Sequence, residues 1–372
     1  MDIAIFGAGI AGLMSAITLR AQGHRCRIFE RARQGHETGM GFILMPEGID
    51  CLQSFGVQLG GVPLRNYRGR SETGEILHET PMPVGSRAIM RRDLIASLVR
   101  TATEGANTES GVLNFDVELE RLEFDINKRV IAGFLNSGAR IQADLYVGSD
   151  GHRSRAREAL FPGWPIPEAQ VMEVVGLVRC LDTIPWANRD FNKFHAAEGG
   201  SALGILPLDD THLVWYLQFD AKRFPPPPDD AASADIRHDF VRNLVGKWAD
   251  PIPHLISITD FSRTHVWRPL DADLIPRFHR GNLILVGDAA HPLHPFTSQG
   301  VSSAISDAVA LAGAIKDASS TNDFEDGLAQ AFARYSAERR EQCAPYIEKT
   351  RELTRQFVAP QVKGEVSVPI AQ

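Results

Sequence analysis

Within its first 30 residues the chain lays down a strand, a glycine turn, a helix, a second strand and an acid, and this unit constrains the fold more than anything after it. Asp2 to Phe6 is a short apolar run. Gly7, Gly9 and Gly12 follow at once in the spacing Gly-x-Gly-x-x-Gly, with Ala8, Ile10 and Ala11 between them. Leu13, Ala16, Ile17 and Leu19 recur at helical spacing, and a second apolar run from Cys26 to Phe29 ends in Glu30 and Arg31. Each part has a physical reason. Gly7 permits the tight turn, Gly9 lets the backbone approach a pyrophosphate, and Gly12 lets the helix pack close to the sheet. The helix start offers free N–H groups and the positive end of its dipole to the phosphates. Glu30 lies 18 residues past Gly12, where an acid accepts a ribose hydroxyl and disfavours a 2′-phosphate. The unit predicts a dinucleotide site, NAD or FAD, on an α/β fold.

Length and charge narrow the class. The 372 residues suit two domains at roughly 150 residues each. A net charge of −7 argues against a nucleic-acid partner. Cys26, Cys51, Cys180 and Cys343 are too widely spaced for a Cys-x-x-Cys unit and read as reduced thiols of a cytoplasmic enzyme. No apolar run reaches about 18 residues, so no transmembrane segment is expected. No basic stretch precedes the first apolar run, which therefore reads as a strand, not a signal peptide.

Four further segments carry chemistry. An apolar strand from Asn282 to Val286 runs into Gly287-Asp288-Ala289-Ala290-His291-Pro292, then Pro295, then Ser298-Gln299-Gly300, with a helix from about Val301 that includes Ser302 and Asp307-Ala308. A strand end at Tyr146 leads into Gly148-Ser149-Asp150-Gly151, with Ser154 and Arg157 beyond. Arg91-Arg92-Asp93-Leu94, with Leu98 after it, reads as a helix start. Gly39, Gly41, Leu44 and Pro46 form a loop and helix after Glu30.

In this order the segments resemble the FAD-dependent aromatic hydroxylases of the p-hydroxybenzoate and salicylate hydroxylase type, the single-component flavoprotein monooxygenases. The resemblance spans nearly the whole chain. It departs at Ser298 and Ser302, where the family has Gly and Asn, and at Glu47, where Asn is frequent. It implies a Rossmann-like FAD-binding domain of the GR2 type, with an antiparallel-sheet substrate domain inserted and a C-terminal helical segment. The FAD-binding part would comprise 1–66, 86–160 and 277–372, and the substrate-binding part 67–85 and 161–276. Within the latter, Leu213 to Phe219 alternates as a strand and Asp235 to Trp248 reads as a helix. Leu328 to Phe357 reads as the C-terminal helix, with a tail from Ala359.

The resemblance also assigns roles. FAD would be held by Gly7, Gly9, Ile10, Ala11, Gly12, Glu30, Arg31, Gly41 and Arg91, with Arg92 competing for the last place. Asp150 would serve both FAD and the nicotinamide donor. Asp288 would bind the ribityl chain, Pro295 would sit by the flavin ring, and Ser298, Gly300, Val301 and Ser302 would line its pyrimidine edge. NADPH or NADH would reduce FAD, O2 would add to give a C4a-hydroperoxide, and an aromatic or polyketide-like small molecule would take the distal oxygen in a dry pocket. On the substrate side, Arg179 is a candidate partner for a carboxylate. His195, His212 and Tyr216 are candidate bases. Trp215 and Trp267 read as core residues, and His291 as a positioned histidine. His291 and His294 do not suggest a metal pair. Epoxidation or Baeyer–Villiger oxygenation on the same fold, a flavin reductase or saturase, and a non-catalytic FAD-binding sensor or scaffold stay open. A halogenase is disfavoured: residues 1–127 contain no lysine, and Gly163-Trp164-Pro165-Ile166-Pro167 is only an echo of the required motif. The expected state is a monomer or homodimer.

Overall fold

A computed structural model describes residues 1–33, 40–105, 111–179, 189–320 and 323–360. Gly39, Cys180 and most of the expected C-terminal tail lie outside the described residues.

The chain opens with β1 (Asp2–Phe6), α1 (Ile10–Ala21), β2 (Arg25–Phe29), β3 (Gly41–Leu44) and α2 (Pro46–Ser54). Short strands β4 (Val62–Pro63), β5 (Asn66–Ser71), β6 (Ile76–Pro81) and β7 (Arg87–Met90) lead to α3 (Arg91–Thr103). Strands β8 (Leu113–Asn114), β9 (Leu119–Phe124), β10 (Val130–Leu135), β11 (Arg140–Ile141) and β12 (Leu145–Gly148) precede α4 (Arg155–Leu160). Long strands β13 (Val171–Arg179), β14 (Asp190–His195), β15 (Ser201–Pro207) and β16 (His212–Asp220) come before α5 (Ala234–Val245) and α6 (Ile252–Ile258). Strands β17 (His265–Trp267), β18 (His279–Arg280) and β19 (Leu283–Leu285) lead to α7 (Gly300–Ala318) and α8 (Phe324–Val358).

A six-stranded sheet in the order β18-β19-β12-β1-β2-β8 forms the first layer. Its centre is parallel: β1 pairs with β2 on one side and β12 on the other. Ile3, Ala4, Ile5 and Phe6 are all buried, as a parallel strand covered on both faces requires. Helix α1 buries every residue from Ile10 to Leu19 between this sheet and α7.

The second sheet runs β17-β13-β16-β15-β14-β5-β6. It is not wholly antiparallel as expected, because β5 and β14 pair in parallel. Its two faces differ. One packs Val174, Trp215 and Leu217 against Val241 of α5 and Leu255 of α6. The other turns Val175, Leu177, Tyr216 and Phe191 toward Ile43, Met45 and Met90 of the first half of the chain. Trp215 is a core residue whose indole N–H donates to Thr259 Oγ1 at 2.9 Å. Trp267 is not: it stands 48% exposed on edge strand β17. Helix α8 runs beside α7 and ends against the seven-stranded sheet, where Phe357 packs with Val171 and Ala202. Among the described residues no helix is long and apolar enough to cross a membrane.

Candidate active site

Three turns meet where β1, β12 and β19 end. Gly7 takes φ +105°, and a Cβ there would lie 2.3 Å from the carbonyl oxygen of Ser149. A Cβ on Gly12 would lie 2.0 Å from Gly7 O, so the helix start is pressed onto its own turn. Gly9 differs, since a Cβ there would meet nothing within 4 Å. The Ser149 hydroxyl donates to Phe6 O at 2.8 Å and Gly7 O at 3.0 Å, locking the second turn to the first. Gly287 adopts φ +59° and packs on Ala11. Arg157 Nη1 donates to Asp288 O at 3.0 Å and Ala289 O at 3.2 Å, so the third turn is tied to α4.

The starts of α1 and α7 are built alike. Neither N-cap, Gly9 or Gln299, makes a side-chain cap, and neither first turn holds an acid. Helix α8 is the contrast: Asp323 accepts from Glu325 N and Asp326 N, with two acids in the first turn. An uncapped helix start next to a cleft is a place for an anion. The open space at Gly9 and at Gly300 shows where such a group fits, since a Cβ on Gly300 likewise meets nothing within 4 Å.

The remaining cofactor candidates fall around this cleft. Glu30 accepts from Ala8 N at 2.6 Å and Ala32 N at 2.7 Å, which holds its carboxylate at the mouth of the glycine turn. Arg31 is half-exposed and 3.8 Å from Glu118. Asp288 reaches solvent through the cleft. Protein packed on its other sides pushes its carboxyl up, against the pull of His291, His152, Arg91 and Arg157. The Arg91 charge acts on Asp288, whereas Arg92 is exposed and pairs with neighbouring Asp93 at 3.5 Å. Pro295 opens a tight turn, Pro295–Thr297, and Ser298 takes a left-handed φ of 53° just before α7. Val301 and Ser302 in its first turn are half-buried.

Two candidates have a packing role in this geometry. Both Asp150 oxygens are engaged by the start of α4: Ser154 Oγ at 2.5 Å, Arg155 N at 2.7 Å and Ala156 N at 3.1 Å. Gly41 makes room for Leu208, whose side chain would meet a Cβ at 2.4 Å.

Residues 1–349 match the family model described as FAD binding domain. The chain belongs to that family. Its relatives include an FAD-dependent urate hydroxylase of Mycolicibacterium vanbaalenii, 26% identical over 94% of this chain and 87% of that one. A 6-hydroxynicotinate 3-monooxygenase of Pseudomonas fluorescens is also 26% identical, over 92% and 88%. Among solved structures, Klebsiella pneumoniae HpxO complexed with FAD and uric acid superposes with a TM-score of 0.79 over 96% of this chain and 92% of that one, at 22% identity. The chain is an FAD-dependent monooxygenase of the aromatic hydroxylase type.

Behind the three turns of this monooxygenase lies a network that sequence reading missed. Asp307 is fully buried and accepts from Gly287 N at 2.6 Å, His291 Nε2 at 2.7 Å and Arg339 Nε at 2.5 Å. Burial opposes charge on all three side chains. His291 is nonetheless held well above its usual range by the Asp307 carboxylate, and Asp307 is held low by His291 and Arg339. The motif pair Asp307-Ala308 was visible in the sequence, but its cation, 32 residues on, carried no local signal.

The substrate-side candidates separate. Arg179 stands exposed at the last position of β13, opposite His212 and eight residues from Val171 at the end that meets Phe296. His212 is tied to Asp209 at 2.8 Å. Neither is brought to the Pro295 turn. His195 and Tyr216 do lie on the face turned toward Ile43, Met45 and Met90, but neither suits a base. Burial and the Lys193 charge push His195 down to about 3. Burial, with Glu173, raises the Tyr216 phenol well above its usual value, so it stays protonated and is a donor, not a base.

Proposed function

We propose that this monooxygenase uses NADPH or NADH and O2 to hydroxylate an aromatic or polyketide-like small molecule. The substrate would be held between the seven-stranded sheet and the Pro295 turn. The observation that carries this is the pairing of two uncapped helix starts on one cleft with a half-buried, mostly apolar face of Met40, Val175, Leu177 and Tyr216. Bound FAD supplies the electron transfer and oxygen activation. The chain's own residues hold it and keep water out. The first turns of α1 and α7 receive its negative groups, and Glu30, Arg91 and Asp288 orient its polar edges. Tyr216 offers a phenol donor above the floor made by Gly204, where a Cβ would lie 2.2 Å from its Cζ.

The division of labour is 1–66, 86–160 and 277–372 for FAD, and 67–85 with 161–276 for substrate. Relatives named for urate and 6-hydroxynicotinate favour a planar ring as substrate. Free thiols at Cys26, Cys51 and Cys343 favour a cytoplasmic setting.

The test is O2 consumption by the FAD-loaded protein with NADPH and then NADH, against phenols, aromatic acids and quinolones, with H2O2 measured in parallel. Substrate-stimulated uptake with little H2O2 is the expected result. No uptake with either donor, despite bound FAD, would overturn the reading.

A further inference from the structure

The face of the seven-stranded sheet that looks toward the Pro295 turn carries buried polar groups that the protein itself leaves without partners. Strand register sets out two rows. Glu173 stands opposite Gln218, Gln218 opposite Ala202, and Ala202 opposite His195. In the next row Val175, Tyr216, Gly204 and Lys193 stand side by side. Tyr67 follows beyond, opposite Phe191. Small residues at 202 and 204 keep the floor low between the acid and the lysine.

Lys193 is 2% exposed and is the only buried lysine among the described residues. Its Nζ lies 5.5 Å from the ring centroid of Phe296, the residue after Pro295. Among the described residues no carboxylate comes within ion-pair reach of it. Other buried charges are satisfied: Asp307 by Arg339 and His291, Asp190 by Arg68 at 2.6 Å, Arg237 by three carbonyl oxygens and Thr264. Glu173 accepts from the Gln218 amide N–H at 2.7 Å, which turns the amide so that Gln218 Oε1 is left buried with no donor. His195 Nε2 and the Tyr67 hydroxyl are likewise buried without partners. Buried charges and polar atoms are normally paired, because leaving them bare forfeits their hydration for nothing. Three such atoms and a cation with no carboxylate in reach, on one face beside the Pro295 turn, mark a place where a ligand completes the bonding.

We infer that Lys193 is the specificity-determining cation of the substrate cavity. It receives an ionised ring hydroxyl or carboxylate of an aromatic substrate, while Gln218 Oε1, oriented by Glu173, accepts from an N–H or O–H on the same ring. This rests on the reading that the substrate lies on this face. It replaces Arg179 as the partner for substrate charge. Burial lowers the lysine to about 8, partly offset by Glu173, so it is still a cation near neutral pH and gains an anion's full attraction.

The experiment titrates the FAD-loaded protein with benzoate, pentafluorophenol and benzamide, following the visible spectrum of the bound flavin. Either anion is expected to bind about tenfold or more tighter than benzamide, as a hydrogen bond to a charged group allows. Benzoate alone would identify a carboxylate, and pentafluorophenolate alone a ring oxyanion. Lys193→Met should erase the preference with FAD content unchanged, and Lys193→Arg should restore part of it. Equal binding of all three probes, no binding of either anion, or an unchanged preference in Lys193→Met would overturn the inference. If O2 uptake with NAD(P)H persists in that case, the monooxygenase reading stands and only the role of Lys193 falls. Anion preference without O2 uptake would have the opposite meaning.

Discussion

Two buried charged clusters lie near the Gly287 and Pro295 turns, and they are built on opposite plans. Around Asp307 the chain pairs every charge: an acid, a guanidinium, an imidazole and a backbone N–H close on one another, and only His291 Nδ1 is left buried without a hydrogen bond. Around Lys193, among the described residues, it supplies a cation with no acid in ion-pair reach and polar atoms with no donor or acceptor. The first plan fixes a shape. The second spends stability to keep a place for something else. The glycine turn repeats the contrast on a smaller scale, since the space beside Gly12 is filled by the protein and the space beside Gly9 is left open.

The sharpest way to break the contrast is Asp307→Ala. It strands Arg339 in the interior and removes what holds His291 charged, and loss of one partner of a buried ion pair costs about 3–5 kcal/mol. Thermal unfolding and FAD content should both fall steeply. Lys193→Met should do the reverse in ligand-free protein, with a stability that is unchanged or higher by up to about 4 kcal/mol, as when buried charges give way to apolar side chains. A drop like that of Asp307→Ala in urea unfolding would mean that Lys193 has an internal partner after all. Gly12→Ala overpacks a closed site and should cost about 1–3 kcal/mol of folding stability. Gly9→Ala should leave the melting temperature of the FAD-free protein alone and weaken FAD binding, read from flavin fluorescence during dialysis.

The smallest effects are in pH, and their signs differ. His291 is raised in the folded state, so its contribution is complete below about pH 6.5 and fades as pH climbs toward its folded value. Lys193 is lowered to about 8, so between there and about 10.5 the unfolded chain holds a proton that the folded chain has shed, and stability rises with pH. Each slope is at most about 1.4 kcal/mol per pH unit. Melting curves across that range should lose the falling component in His291→Gln and the rising one in Lys193→Met.

The closed regions were the legible ones. The strand Asp2–Phe6 and the start of α7, at Gly300 beside the expected Val301, follow from turn chemistry and apolar runs that sit together in sequence. Helix α8 begins at Phe324, four residues before Leu328, because Asp323 caps it, a signal present in the sequence but unused. The open set was not legible. Glu173, Lys193, Gly204 and Gln218 come from four strands, and only register brings them to one face. The run Asp190-Phe-Asn-Lys-Phe-His195 offers no clean alternation, because both faces of its strand are buried. Arg179 drew attention as a cation in an apolar strand, but a position at the end of a strand carries no information about which end meets the flavin.

The order in which the site's parts are made has a consequence in time. The glycine turn is made well before its partners, since Gly287, which packs on the helix it opens, comes some 280 residues later. The cation that neutralises Asp307 comes later still, at Arg339, and the Phe357 ring that backs Phe296 comes after that. A growing chain can therefore present the glycine turn long before it can close the cleft around it. Closure waits on α8, and that helix decides when the glycine turn becomes useful.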